Sequence, residues 1–181
     1  VILDGTSIWK DKLGQKVADE RITVSFNPSD KRIVNGELFT GEGYLSEDYD
    51  LIKDGVLNSF MLSQYVANKT GNARAKNSSF AMVIKNGETP LEDIIKSIDK
   101  GIIIGRFSGG NPGTNGEFSG VAKNGFFIEN GKISRAISET MISGNLASML
   151  NDLVAISKET LVDGTVVAPY MAFDGITVSG K

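Results

Sequence analysis

Two dipeptides, Asp54-Gly55 and Asn130-Gly131, constrain this chain more than any other feature. Each lies between short apolar runs: Leu51-Ile52 and Val56-Leu57 flank the first, and Phe127-Ile128 and Ile133 flank the second. Asx-Gly tolerates the positive φ that both central positions of a two-residue type I′ turn require, so each segment should fold back as a hairpin. The two segments share a pattern, Leu51-Ile52-x-Asp54-Gly55-x-Leu57 and Phe127-Ile128-x-Asn130-Gly131-x-Ile133. It reads either as two similar hairpins or as a duplicated strand–strand–helix unit. Further strand-like runs follow at short spacing, at 21–26, 80–84, 102–104, 118–122, 162–169 and 176–179. Many short strands joined by tight turns predict an α+β fold: an antiparallel, β-rich domain with a few short helices, not a doubly wound parallel sheet.

Helical signals are fewer. Ser7 can cap a run to about Ala18 that places Trp9, Leu13 and Val17 on one face, although Gly14 weakens it. A short helix is predicted over 63–69, stopped by Gly71. Thr89, Pro90 and Glu92 form a capping-box pattern, and Leu91, Ile94, Ile95 and Ile98 share a face, which predicts a helix over 90–100 ended by Gly101. Ser143 or Gly144 should cap a last helix carrying Leu146, Met149, Leu150, Leu153 and Val154. The polar stretches 27–48, 72–79 and 107–116 read as loops.

A chain of 181 residues suits one domain, 1–181, large or bilobed. Its apolar runs are too short to span a bilayer and no signal-peptide pattern is present, so the expectation is a cytoplasmic protein without a membrane partner. Net charge is −3 with no basic stripe, which argues against nucleic acid. Cysteine and histidine are both absent. That excludes thiolate nucleophiles, zinc–thiolate sites, Ser-His-Asp triads and H-E-x-x-H helices. Chemistry run by these residues alone would fall to Asp, Glu, Lys, Tyr, Ser or Thr.

Among candidate sites, the glycine-rich loop at 109–116 lacks the G-K-[ST] of a phosphate loop and is followed by extended residues. It reads as an irregular turn, or as bare backbone that approaches a peptide or partner. Glu42, Glu117 and Glu129 are possible acids or ligands, although surface glutamate is the plainer reading. Ser119, Ser143 and Lys123 show no S-x-x-K pattern for a Ser/Lys pair. Asp163-Gly164 is most simply a turn.

Several motifs in order resemble one family. Lys12-Leu13-Gly14 with Val17-Ala18, Glu42-Gly43, Leu51-Ile52-x-x-Gly55-Val56-Leu57 and Gly71-Asn72-Ala73-Arg74 come first. Gly109-Gly110-Asn111, Asn115-Gly116-Glu117-Phe118-Ser119, Gly144-Asn145-Leu146 and Ile176-Thr177-Val178-Ser179-Gly180 follow. Together they resemble the C-terminal domain of the TldD/PmbA (TldE) family, metallopeptidase-related proteins once called modulators of DNA gyrase. The resemblance implies an antiparallel β-rich domain normally preceded by an N-terminal α/β domain, which this chain lacks. It also implies a zinc ion in TldD-type subunits, held by two His of an H-E-x-x-x-H helix just upstream of this region and by a Cys near the C-terminus. PmbA-type subunits lack the His motif and form the non-catalytic half of a heterodimer.

Here the family's Cys position falls at Asp163, and the sequence offers no His. The expectation is a PmbA/TldE-like subunit or C-terminal fragment without a catalytic residue or metal site of its own. Zinc would reside in a TldD-type partner, or the chain would form a homo-oligomer. The loop residues Gly109, Gly110, Asn111, Gly116, Glu117, Phe118 and Ser119 would help to enclose an unfolded peptide, with bulk barred at Gly109 and Gly110. The alternatives are a stand-alone protein- or peptide-interaction module, and an independent hydrolase built on an unrecognised carboxylate site.

Overall fold

The structure is a computed structural model that describes residues 2–180. In chain order its elements are β1 (Val24–Phe26), β2 (Tyr49–Lys53), β3 (Val56–Leu57), α1 (Gln64–Thr70) and β4 (Met82–Ile84). Next come α2 (Leu91–Ser97), β5 (Lys100–Ile103), β6 (Arg106–Gly109), β7 (Glu117–Lys123), β8 (Phe126–Glu129) and β9 (Lys132–Ala136). Last are β10 (Thr140–Asn145), α3 (Leu146–Asn151), β11 (Leu153–Val162), β12 (Val166–Phe173) and β13 (Thr177–Ser179). Two compact units result. The first runs up to Gly87 and includes Glu159–Tyr170; the second is Glu88–Lys158 with the segment from Met171.

The first unit is built on a sheet of order β11-β12-β4-β1-β2-β3. β1 pairs antiparallel with β2 and β4, whereas β12 meets β4 in parallel. The β2–β3 hairpin turns through Asp54 and Gly55, at φ 47° and 78°, as the Asp-Gly signal requires. Ile22 and Leu57 are fully buried, each contributing about 1.5–3 kcal/mol of apolar transfer energy. Val167 packs with Ile33, Ala81 and Val83. α1 has the expected ends: Ser63 accepts from the Val66 N–H, and Gly71 takes the left-handed position.

The helix expected at 7–18 does not form. Its donors go to the hairpin instead: Val17 and Ala18 N–H bond the Gly55 carbonyl, and Gly14 N–H bonds the Leu57 carbonyl. Gly14 itself sits at φ 76°. Ser7 accepts from the Trp9 N–H and serves a local turn. A non-local strand-like contact thus outcompetes a propensity that Gly14 had already weakened.

The second unit holds a four-stranded sheet, β13-β10-β7-β6, and a three-stranded one, β5-β8-β9. The β8–β9 turn repeats the first hairpin, with Asn130 at φ 49° and Gly131 at φ 73°. In both hairpins the turn glycine abuts backbone: a Cβ would lie 2.5 Å from the Ala18 carbonyl oxygen at Gly55 and 2.5 Å from that of Lys96 at Gly131. The resemblance stops there, because β9 leads into a strand, β10, rather than a helix.

Two helices are shorter than the sequence suggests. α2 ends at Ser97, and Gly101 lies in β5 opposite Ile128, not at a left-handed cap. Thr89 makes no capping bond; its carbonyl accepts from Lys158 N–H, so the helix starts behind Pro90. α3 begins at Asn145, whose side chain accepts from Ala147 and Ser148 N–H. Ser143 and Gly144 belong to β10, and Leu153 and Val154 to β11.

Candidate functional site

The four-stranded sheet of the second unit sorts its side chains by face. Cross-strand register aligns Gly109, Gly120, Ile142 and Val178 in one row. The neighbouring row is Phe107, Ala122 and Thr140, and on the other flank Phe118 faces Gly144. The glycines let aromatic rings lie down on the sheet. A Cβ on Gly109 would sit 2.4 Å from Phe107 Cζ and 2.6 Å from the Ser119 carbonyl oxygen. One on Gly120 would sit 2.6 Å from the same ring, and one on Gly144 3.3 Å from Phe118 Cζ. The two rings meet edge to face, 6.0 Å apart at 87°, a geometry favoured by the ring quadrupole.

Phe107, Gly109, Phe118, Ile142 and Val178 of these rows floor a cleft of about 1000 Å³. Ile98 and Ile102, Leu146 and Met149 of α3, and Met171, Phe173 and Ile176 complete its mostly apolar lining. Asp99, Lys100 and Asp174 also line it. Gly109, Gly110, Asn111 and Phe118 of the expected loop are on its wall. β6 ends at Gly109, and the chain then leaves the sheet. The return is anchored by Gly113 N–H on the Glu117 carbonyl and Asn115 Oδ1 on the Glu117 N–H. Asn145 Nδ2 holds the Asn115 carbonyl. Gly116, at φ 84°, is buried and accepts from Leu146 N–H, so it shapes the loop and lines neither depression.

Strand alternation sends the next residues to the opposite face. Glu117, Ser119, Ser143 and Asn145 border a smaller depression of about 490 Å³, which Gly110, Asn111, Phe118 and Gly144 also line, so it adjoins the cleft at the lip. Of the seven expected loop residues, Gly109 lines the cleft, Glu117 and Ser119 line the smaller depression, Gly110, Asn111 and Phe118 line both, and Gly116 lines neither. Bulk is barred at Gly109, but not sterically at Gly110, where a Cβ would have nothing within 4 Å. Sequence reading missed Phe107, Gly120 and Ile142. The repeated spacing in Phe107-x-Gly109 and Phe118-x-Gly120 was the available signal.

The other candidates have structural work. Both Glu42 oxygens accept from Gln64 N–H at the start of α1. Glu129 accepts from Ser134 Oγ. Ser119 and Ser143 are direct cross-strand neighbours, while Lys123 lies four residues further along β7, roughly 13 Å away at strand rise. Asp163 Oδ1 accepts from Thr165 N–H, Thr165 Oγ1 and Val166 N–H, each at 2.8 Å. Those bonds, Thr165's first, hold its carboxyl below the ordinary carboxylate range. Among the described residues no group of three or more His, Cys, Asp or Glu is placed to hold a metal ion.

Comparison with known proteins agrees with this architecture. The chain is 32% identical over 175 residues to the metalloprotease PmbA homolog of Buchnera aphidicola from Acyrthosiphon pisum, covering 93% of this chain and 38% of that protein. It is 28% identical over 172 residues to the zinc metalloprotease TldD homolog of Saccharolobus solfataricus, covering 88% and 38%. The chain thus spans about two-fifths of the length of these curated relatives. The crystal structure of a modulator-of-DNA-gyrase protein from Bacteroides thetaiotaomicron superposes with a TM-score of 0.87 at 31% identity, over 99% of this chain and 41% of that one. TldE from Thermococcus kodakarensis superposes at 0.81 with 26% identity, over 99% and 44%. The model of the PmbA/TldA metallopeptidase C-terminal domain matches residues 1–180, and the chain belongs to that family.

Proposed function

We propose that this chain acts as a PmbA/TldE-like, non-catalytic part of a TldD/TldE-type metallopeptidase, and that its second unit lends a wall to the cavity that receives unfolded peptides. The observation that carries this reading is the residue at the family's Cys-ligand position. The sequence matches the family's C-terminal domain yet contains no Cys, and Asp163 stands at that position. The carboxylate at the family's Cys position, Asp163, is committed to three hydrogen bonds of its own turn. A zinc ion, as named for the Saccharolobus relative, needs three or four convergent N, S or O ligands. The residues of this chain do not fit it, and no step through zinc is assigned to them. The metal and its general base would come from a TldD-type partner.

On this reading an extended peptide lies beside the lip at Gly109-Gly110 and adds to β6, which among the described residues has a strand neighbour on one side only. Backbone pairing gives affinity without sequence demands. The testing experiment measures zinc content and hydrolysis of an unfolded peptide, for this chain alone and mixed with an H-E-x-x-x-H homologue from the same cell. Activity confined to the mixture, with zinc in the homologue, is expected. Zinc or activity in this chain alone would overturn the assignment. Gly110→Val should depress activity of the mixture without destabilising this chain, because the lip position is open. Unchanged activity would remove the lip from the cavity.

A further inference from the structure

The cleft beside the lip has more chemistry than backbone pairing needs. Gly109 and Gly120 let the Phe107 ring lie flat, so that one ring face covers the sheet. The residue nevertheless stays 41% exposed. Phe118 meets it edge to face and closes one side. Ile142 is buried in the floor between them. Two apolar side chains of α3, Leu146 and Met149, stand on the cleft wall; methionine adapts its shape to aromatic guests. The volume, about 1000 Å³, lies at the upper end of what small-molecule and side-chain pockets occupy. The charged residues on the wall are two carboxylates, Asp99 and Asp174, against one ammonium, Lys100. The edge of β6 runs from Arg106 past Phe107 to Gly109. A strand added there would place alternate side chains into this cleft.

We infer that the cleft is a side-chain subsite which selects, within an extended peptide, a bulky aromatic or aliphatic residue flanked by neutral or basic ones. The inference rests on the peptide-cavity reading above and specifies its substrate class. The aromatic side chain stacks on the exposed face of Phe107, and its neighbours run along β6 past Gly110. Acidic flanks are disfavoured by Asp99 and Asp174.

The test is fluorescence anisotropy of the purified chain with labelled, end-blocked, unstructured peptides on a Ser/Asn background. The central residue is Phe, Leu, Ala or Glu, and the flanks are Lys or Glu. Phe should bind about ten-fold or more tighter than Ala, with Leu between, as partial burial of such a side chain implies. Lys flanks should bind about two- to five-fold tighter than Glu flanks, a gap that shrinks with added salt. Phe107→Ala should bring the Phe-to-Ala ratio close to one. Gly110→Val, placed in open space and checked for folding by circular dichroism, should weaken every peptide alike. Equal binding of the Phe and Ala peptides, or an unchanged ratio in folded Phe107→Ala, overturns the subsite and leaves the peptide cavity standing. Failure of every peptide to bind overturns the subsite together with the cavity reading.

Discussion

Gly109 and Gly110 are neighbours in sequence, yet the structure predicts opposite responses to a single methyl group. At Gly109 a Cβ would meet Phe107 Cζ at 2.4 Å and the Ser119 carbonyl oxygen at 2.6 Å. The ring can swing aside, at the cost of uncovering Gly120; the carbonyl belongs to β7 and can move only with the sheet. Overpacking of this kind costs about 1–3 kcal/mol, or roughly 2–4 °C in Tm per kcal/mol for a chain of this size. At Gly110 nothing lies within 4 Å and φ is outside the left-handed region. Gly110→Ala should therefore be neutral, or stabilising by about 0.4–1 kcal/mol through the unfolded chain. The assay is urea unfolding followed by hydrogen exchange at amides of β6, β7 and β10, with the m-value compared between variants. Trp9 fluorescence reports the first unit, so it serves as an internal control. Equal midpoints for the two variants would refute the claim that Phe107 and β7 define a steric wall at one glycine and not the next.

Other perturbations test the same framework. Gly55→Ala and Gly131→Ala each combine a positive φ with a backbone oxygen 2.5 Å from the new Cβ; each should cost upwards of about 2 kcal/mol in thermal unfolding, and a neutral result would contradict the docked-hairpin description. Asn145→Ala removes the α3 cap and the tie to the Asn115 carbonyl; a loss of about 1–2 kcal/mol is expected, with faster amide exchange at 110–116 as the specific readout. Asp19 and Asp30 are held down to about 2, from an ordinary 3.8, first by hydrogen bonds from Arg21 and Arg32. Because the folded values lie below the unfolded ones, their stabilisation is complete above about pH 4 and is lost as pH falls toward 2. With the arginines about half exposed, each pair should contribute only about 0.5–1 kcal/mol. An Asp19→Asn/Asp30→Asn variant should show a flatter midpoint across that window, and an unaltered slope would discount both pairs.

Local chemistry explains which parts of the fold the sequence disclosed. Asp54-Gly55 and Asn130-Gly131 specify turns through their own φ preferences, so those hairpins could be read directly; Asp163-Gly164 was legible as a turn, but the strand-like run at 162–169 is split there between β11 and β12. Ser63 and Gly71 likewise bound α1 by local rules. The failures lie where a distant partner decides. Val17 and Ala18 abandon a helix because Gly55 offers a carbonyl. Leu153 and Val154 continue the apolar face of α3 in sequence, but Asp152 ends that helix and β11 pairs with β12. Gly101 resembles a helix cap until Ile128 is placed opposite it. The glycine-rich loop was visible as a candidate site. Its division by face was not, because that depends on which of β6, β7 and β10 each residue pairs with.

That division follows from one strand serving two surfaces. Phe118 of β7 lines both the apolar cleft and the smaller depression, while Glu117 and Ser119 line the smaller depression alone. Alternation makes this unavoidable for any strand that carries a site on both sides. The glycines then decide how deep the apolar side can be. With side chains at Gly109, Gly120 and Gly144, Phe107 and Phe118 would be lifted off the sheet and would occupy the cleft themselves. Without them the rings become the floor. Glycine here supplies depth rather than flexibility, since Gly109, Gly120 and Gly144 all lie within strands and none has a positive φ. A peptide-binding role for the cleft therefore depends on these three positions more than on the conspicuous glycines at 110 and 113. Substituting alanine at Gly120 should alter side-chain preference among bound peptides by displacing Phe107.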